Sequence, residues 1–274
     1  MVRKMKGDKA LGPDGFSMAF FQKCWEVIKK DMMAIFKEFH ETRKFEKSLN
    51  ATSVALTPKK AGAMEIKDFR PISLVSGVYK IISKVLTSRL KLVIRKLVSQ
   101  TQSAFVLGRQ ILDSILMVNE CVDSRIRSEE PELICKLDLK KFYNHINCDF
   151  LLYMLKRFGF GERWRGWMYQ CISTVLFSVF INGTPKDFFD SSRGVRQGDP
   201  LSSLLFVVVM EVFSRMMNVA VERELLKGFS VGSRPSEAMD VSHLLFVDDA
   251  LIFCESKVEQ IQHLRCLLLC FEAV

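Results

Sequence analysis

Apolar residues recur along this chain with two periods, and these periods predict its helices and strands. Apolar positions three and four residues apart predict amphipathic helices over residues 17–45, 79–98, 111–127, 150–158, 163–173 and 201–217. Shorter apolar runs predict strands over residues 51–57, 133–139 and 177–181, the last turned by Asn182-Gly183. A hairpin around residue 248 and a helix from residue 257 complete the pattern. Long helices over a small sheet are typical of an α+β fold.

Two adjacent carboxylates interrupt an apolar run near the end of the chain. The apolar residues on both sides of Asp248 and Asp249 predict a β-hairpin whose two-residue turn is this pair. Such turns usually contain Asn-Gly or Asp-Gly, because their central residues often need positive φ. Two neighbouring negative charges also repel, and a divalent cation such as Mg²⁺ would compensate. Taken alone, however, the pair is better explained as an exposed acidic turn.

A third carboxylate lies in a segment that reads as a buried strand. Alternation over residues 133–139 places Ile134, Lys136 and Asp138 on one face. Burying an aspartate is costly unless it is paired or bound to a metal. Pairing of Asp138 with Lys136 or Lys140 is one explanation. Beside the acidic hairpin, Asp138 would instead complete a site for two metal ions, of the kind that supports phosphoryl transfer.

A loop that leads into an apolar helix forms a third candidate segment. Asp199 is suited to cap this helix and Pro200 to be its first residue. Gly198 has no Cβ and would let a ligand approach the backbone. Arg196 and Gln197 could reach a phosphate or a base. The alternative is an ordinary capped core helix.

Together these segments resemble the reverse transcriptases of non-LTR (LINE-type) retrotransposons, most closely the plant-type ones. The resemblance begins at Gly12 and continues nearly to the last residue. It is carried by residues 12–16, 68–74, 102–109, 136–139, 180–183, 196–202 and 246–249, in this order and at this spacing. It implies a polymerase right-hand fold with fingers at residues 1–128 and a palm at residues 129–274. A thumb is not expected, because the chain ends soon after Asp249.

The resemblance also implies an activity, RNA-directed DNA synthesis. Asp138, Asp248 and Asp249 match the catalytic carboxylates that bind two Mg²⁺ (or Mn²⁺) ions. The implied partners are an RNA template, a DNA primer and deoxynucleoside triphosphates. The positions that match nucleotide-binding or template-binding residues are Tyr143, which would exclude a ribose 2′-hydroxyl, Gln197, Gly198, Arg70, Arg109 and Phe246.

Several residues depart from the family pattern. The family usually has Lys-Ala-Tyr-Asp where this chain has Lys141-Phe142-Tyr143-Asn144. A phenylalanine in place of alanine beside the nucleotide pocket risks overpacking, which typically costs ~1–3 kcal/mol. The alternative function is therefore a catalytically inactive retrotransposon-derived fragment that only binds nucleic acid. A second alternative is a two-metal phosphodiesterase or nuclease, since paired carboxylates serve that chemistry too.

The charges are unevenly distributed along the chain. Residues 1–110 contain 22 Lys and Arg against 9 Asp and Glu, whereas residues 111–274 contain 18 against 22. A basic half suits a phosphate backbone, although basic residues also decorate solvated helix faces. No signal peptide is recognisable, and the apolar run at residues 204–210 is too short to span a bilayer. An intracellular location, nuclear or cytoplasmic, without membrane contact is expected.

Cysteine usage predicts reduced thiols. The eight cysteines include no Cys-x-x-Cys pair, and several lie in apolar runs. His263, Cys266 and Cys270 share one predicted helix and would need a fourth ligand to bind zinc. Packing in the core is the expected role of these three side chains.

Overall fold

The structure is a computed structural model of the 274-residue chain. It describes all residues except 45, 129–131, 140–141, 182, 232–238 and 274, and it leaves out the side chains of Ser128 and Phe142. The predicted turn at Asn182 and the predicted overpacking by Phe142 therefore lie outside the described part. The chain divides into two compact units: unit 1 comprises residues 1–90 and 143–204, and unit 2 comprises residues 91–142 and 205–274. The fingers and palm boundary near residue 128 stays a prediction, because a compact unit and a functional subdomain are different divisions.

Two helices replace the single helix that the first apolar stripe predicts. They are α1 (Met18–Lys23) and α2 (Trp25–Thr42), and they meet at Cys24. The Ser17 side chain caps α1 by accepting a hydrogen bond from the Phe20 amide. The apolar stripe continues across the break, so periodicity alone does not reveal it. Residues of both helices form a core with Val2 and Ile81.

Unit 1 contains a mixed sheet. Strand β1 (Ala51–Pro58) pairs antiparallel with β2 (Phe69–Val75) and parallel with β4 (Leu176–Ile181). The short strands β5 (Thr184–Pro185) and β6 (Phe189–Asp190) also pair with β4. The helices around this sheet are α3 (Gly77–Leu97), which continues into unit 2, α5 (Phe142–His145), α6 (Cys148–Arg157) and α7 (Glu162–Ser173).

Unit 2 contains a small antiparallel sheet with helices. Its strand order is β3 (Glu132–Asp138), β10 (Asp249–Glu255) and β9 (His243–Phe246). A separate pair is formed by β7 (Phe229–Val231) and β8 (Met239–Val241). The helices are α4 (Ile111–Ser128), the greater part of α8 (Pro200–Glu222) and α9 (Val258–Glu272). Cys121 of α4, Phe229, Val241 and Phe253 form one core. The predicted α+β class is confirmed.

Two helices of unit 2 have properties that the sequence-based prediction did not give. Within the described ranges, α8 is long and apolar enough to cross a membrane by length and composition, and 67% of its most apolar window is buried inside the protein, as in the core helix of a globular protein. On α9, His263, Cys266 and Cys270 are exposed rather than packed in the core. The His263 Nδ1 atom lies 3.0 Å from the Leu225 carbonyl oxygen.

Candidate active site

The acidic hairpin forms as predicted, but its turn is shifted by one residue. Asp249 already pairs with Phe246 on β9 and with Asp138 on β3, so the two turn residues are Val247 and Asp248. Pairing on both sides draws Asp249 into the strand, which the residue types alone did not indicate. Val247 has φ +54°, a conformation that β-branched residues rarely adopt. This first turn position is one where glycine is usual.

The structure brings the three predicted catalytic carboxylates to one edge of the unit 2 sheet, the edge where β3 ends and β10 begins. Asp138 and Asp249 are direct partners across β3 and β10. The Leu139 amide donates to the Asp248 carbonyl at 2.9 Å, which ties the turn to the end of β3. Like charges directly opposite each other destabilise a sheet. This edge is therefore a place where a bound cation would stabilise the fold.

Strand β3 is half exposed, which corrects the prediction that it is buried. The side of β3 that carries Ile134, Lys136 and Asp138 is exposed, and the other side is half-buried. The cost of burying Asp138 therefore does not arise. Asp248 is exposed as well, so the carboxylates are accessible to a ligand from solvent.

The donor chemistry of this edge fits a divalent cation. Carboxylate oxygens are the ligands that Mg²⁺ prefers. Among the residues that the structure describes, no three metal-ligating side chains converge on one point. Instead the Lys136 ammonium lies 3.5 Å from Asp249 Oδ1, with both side chains about half exposed or more. Exposed ion pairs contribute only ~0–1 kcal/mol, so this contact adds little to the stability of the edge.

A buried polar network supports the hairpin from within unit 2. His243, the first residue of β9, is fully buried, and its Nε2 atom lies 2.7 Å from Ser214 Oγ and 3.1 Å from Thr101 Oγ1. Its Nδ1 atom lies 2.9 Å from Ser242 Oγ. Burial lowers the pKa of His243 to about 4, so the imidazole is neutral at pH 7. The network fixes the start of the strand that leads to the acidic turn.

Arg109 has a structural role within unit 2. Its guanidinium donates to the carbonyl oxygens of Ser99, Gln102 (2.5 Å) and Val98 (3.1 Å). Gln102 forms a bridge with Leu245 of β9, so this segment extends the sheet. In this arrangement Arg109 closes the loop that follows α3. Its contact with triphosphate or template remains a prediction.

In unit 1 the structure brings Tyr143 next to the loop that contains Gln197 and Gly198. The Val195 amide donates to the Tyr143 carbonyl at 2.7 Å, and the Ser73 amide of β2 donates to the Gln197 carbonyl at 3.0 Å. Strand β2 also carries Arg70, which is exposed. Three of the predicted nucleotide-binding segments therefore meet within one compact unit.

Arg196 is buried, which corrects the expectation that it reaches a phosphate or a base. Its exposed fraction is 3%. Its guanidinium donates to Asn50 Oδ1 (2.7 Å), Thr52 Oγ1 (3.2 Å) and the Cys171 carbonyl (2.7 Å). The sequence did not reveal this, because its partners come from distant segments. By contrast, the capping role of Asp199 is confirmed.

Unit 1 contains a basic cavity, whose individual residues were not predicted from the sequence. Its volume is about 600 Å³, and Gly198, Asp199 and Ser73 lie in its wall. The lysines that line it are Lys4, Lys6, Lys9, Lys80 and Lys84. In the part of the chain that the structure describes, none of these five ammonium groups forms an ion pair. The signal in the sequence was the excess of Lys and Arg in residues 1–110.

Comparisons with known proteins show which proteins this chain is similar to. The chain is 27% identical over 258 residues to the Transposon TX1 uncharacterized 149 kDa protein of Xenopus laevis, covering 94% of this chain and 19% of that protein. It is also 27% identical over 251 residues to a Retrovirus-related Pol polyprotein from type-1 retrotransposable element R2 of Nasonia vitripennis, covering 90% and 22%. The chain thus spans about a fifth of the length of these curated relatives.

A solved structure shows the same fold. Telomerase from Candida albicans, solved in complex with a fragment of telomeric RNA, superposes with a TM-score of 0.58 at 14% identity, covering 90% of this chain and 44% of that one. At this identity the likeness concerns the fold alone, and it supports the right-hand polymerase fold. Residues 57–274 match the family described as Reverse transcriptase (RNA-dependent DNA polymerase). Since this match covers most of the chain and includes the acidic sheet edge, the chain belongs to the reverse transcriptase family.

Proposed function

We propose that this chain is the polymerase part of a non-LTR retrotransposon protein and copies RNA into DNA. The reaction is the transfer of deoxynucleotides to a primer 3′-hydroxyl under the direction of an RNA template. The proposal rests on one observation. Asp138, Asp248 and Asp249 lie at one sheet edge in a chain that belongs to this family. The intracellular location expected from the sequence belongs to the same proposal.

Asp138, Asp248 and Asp249 would hold Mg²⁺ or Mn²⁺. When bound, two such ions stabilise the attacking and leaving oxygens of an in-line phosphoryl transfer. The protein contributes the placement of the three carboxylates. Pairing of Asp249 with β3 and β9, together with the Leu139 contact to Asp248, keeps these residues at fixed positions on the sheet. Positioning and charge neutralisation are most of what this chemistry needs.

The nucleotide would be recognised by the loop in unit 1. Tyr143 is connected to this loop through Val195, and in our proposal its ring excludes a ribose 2′-hydroxyl. Gln197 and Gly198 contact the template and the incoming nucleotide, and Arg70 contacts the triphosphate. Arg109 and Phe246 are the template or nucleotide contacts assigned to unit 2.

The basic cavity would contribute to nucleic-acid binding. Five lysine ammonium groups that form no ion pair within the described residues favour a polyanion. Each phosphate neutralised by a lysine releases counterions, so binding should weaken as salt rises. We therefore expect the affinity for single-stranded RNA to fall steeply between 50 and 200 mM salt, by a factor of about 20–130 for three to five contacts.

Primer extension tests the proposed activity. The assay contains an RNA template, an annealed DNA primer, all four deoxynucleoside triphosphates and Mg²⁺. Wild type should lengthen the primer, and Asp248→Asn should reduce extension by at least about a hundredfold because one charge of the metal site is lost. Asp187→Asn, at an exposed acid in unit 1, is the matched control and should retain activity.

The outcome also separates the alternatives. If wild type binds RNA but never extends the primer, the chain is the catalytically inactive fragment that the departures at Phe142 and Asn144 allow. If the primer is instead shortened, the carboxylates serve a nuclease. Calorimetric titration with Mn²⁺ tests the metal site separately. Equal binding by wild type and an Asp248→Ala, Asp249→Ala double variant would exclude these carboxylates as ligands.

A further inference from the structure

Gln197 and Gly198 form a tip between two buried charged residues. Arg196 on one side and Asp199 on the other are each 3% exposed, whereas Gly198 is exposed and Gln197 is half-buried. Arginine and aspartate are almost never buried to this degree unless they are paired. The partners of these two residues therefore determine how freely the tip between them can move.

Asp199 is fully occupied by neighbours within unit 1. Its Oδ2 atom accepts a hydrogen bond from the Tyr79 hydroxyl at 2.7 Å and lies 3.7 Å from Arg196 Nη2. Its Oδ1 atom accepts hydrogen bonds from the Ser83 hydroxyl and from the Leu201 amide, the latter at 3.1 Å. A carboxylate with this many donors has one preferred orientation.

Tyr79 touches both buried charges. The Arg196 guanidinium carbon lies 3.8 Å from the centre of the Tyr79 ring, within the range of a cation–π interaction. The same side chain donates its hydroxyl to Asp199. Burial raises the pKa of Tyr79, so the phenol keeps its proton and remains a donor at physiological pH. No resemblance or motif singled out Tyr79, which lies on α3.

We infer that Tyr79 is a positioning residue for the nucleotide-binding loop. It fixes the side chains of Arg196 and Asp199 and thereby presents Gln197 and Gly198 in one conformation. The hydrogen bond from the Ser73 amide to the Gln197 carbonyl holds the tip from the side of β2. The structural part of the inference stands independently, whereas its kinetic consequence rests on the proposed polymerase function.

Tyr79→Phe is the informative variant, because it removes only the hydroxyl and leaves the ring beneath Arg196. The matched control is Tyr153→Phe, which makes the same chemical change at a tyrosine of unit 1 that is 54% exposed. Arg196→Lys is a second variant, since lysine keeps the charge but lacks the planar fork of donors. Thermal unfolding first establishes that each variant is folded.

Hydrogen exchange of the peptide that covers residues 194–201 tests the positioning directly. Releasing one hydrogen bond to the Asp199 carboxylate should speed exchange of this peptide on the order of tenfold in Tyr79→Phe, since a bond to a charged group contributes more than a neutral one. Tyr153→Phe should exchange like wild type. If the peptide exchanges at the wild-type rate in both Tyr79→Phe and Arg196→Lys, the inference is wrong.

Steady-state primer extension tests the consequence for nucleotide binding. Tyr79→Phe should raise the KM for deoxynucleoside triphosphate about tenfold and change kcat much less, because small displacements of a positioning group are costly. A purely structural role would lower the active fraction, and so kcat, at an unchanged KM. If wild type itself does not extend a primer, the proposed function fails, and the exchange measurement still decides whether Tyr79 positions the loop.

Discussion

His243 should make the stability of unit 2 dependent on pH. In the folded protein, burial lowers its pKa from 6.5 to about 4, whereas an unfolded chain has the ordinary value. At pH values between these two pKa values, His243 is protonated in the unfolded state but not in the folded state. The free energy of unfolding therefore decreases as the pH falls through this window, and above pH 7 His243 contributes no pH dependence.

The size of this effect follows from the difference in pKa. One pKa unit corresponds to about 1.4 kcal/mol, so His243 should remove about 2 kcal/mol of stability by pH 5 and about 3 kcal/mol by pH 4. Since a whole domain is stabilised by only ~5–15 kcal/mol, the loss is large enough to measure. His243→Gln keeps a hydrogen-bonding group and cannot titrate. We expect it to be less stable than wild type at pH 7 but to lose less stability on acidification.

The assay must report on unit 2. The three tryptophans, Trp25, Trp164 and Trp167, all lie in unit 1, so tryptophan fluorescence would follow the other unit. Hydrogen exchange of peptides from α8 and β9, in urea and between pH 7 and 4.5, is suitable after correction for the intrinsic effect of pH on exchange. His40→Gln, at an exposed histidine, controls for the loss of an imidazole as such. Parallel losses of stability in wild type and His243→Gln would refute the reasoning.

Three further substitutions have defined outcomes. Gly194→Ala would place a Cβ 2.8 Å from the Asn144 backbone, at a residue with φ +86°. It should reduce the free energy of unfolding of unit 1 by about 1–3 kcal/mol in urea titrations. Gly159→Ala, at a similar φ but in open space, should reduce it less. Val247→Gly should raise the melting temperature, since glycine adopts φ +54° without the left-handed penalty of ~1–2 kcal/mol. Glu211→Ala removes a buried carboxylate that accepts a main-chain N–H and should cost about 1–3 kcal/mol by unit 2 hydrogen exchange. An unchanged stability in any of the three would contradict its argument.

The sequence correctly predicted structural features that depend on residues close together in the chain. Asp199 caps α8 and Pro200 begins it, because capping involves atoms only a few positions apart. The long amphipathic helices α3 and α4 were recognised from their periodicity. Strand β2 was missed because its Arg70-Pro71 segment lacks strand character. In the structure it is held by pairing with β1, as Pro71 opposite Leu56 shows.

The residues of the candidate site were proposed from the resemblance, whereas their geometry could not be predicted from the sequence. The resemblance proposes the three carboxylates, whereas the turn at Val247-Asp248 depends on the pairing of Asp249 with two strands. Arg196 was misjudged because burial is a property of the assembled unit. Its partners at positions 50, 52 and 171 lie far from it in the chain. Tyr79 carries no local signal at all.

The parallel pairing of β1 with β4 has a consequence for how this protein is made on the ribosome. Ala51 pairs with Leu176, with more than a hundred residues between them. At a translation rate of about 5–20 residues per second, β1 and β2 emerge on the order of ten seconds before their neighbour β4 exists. During this time the edge of β1 that pairs with β4 over residues 51–54 in the finished protein offers unsatisfied backbone groups to other nascent chains. Slow elongation over residues 76–175 should therefore increase aggregation during expression, and cooler growth with abundant chaperones should raise the yield of folded protein.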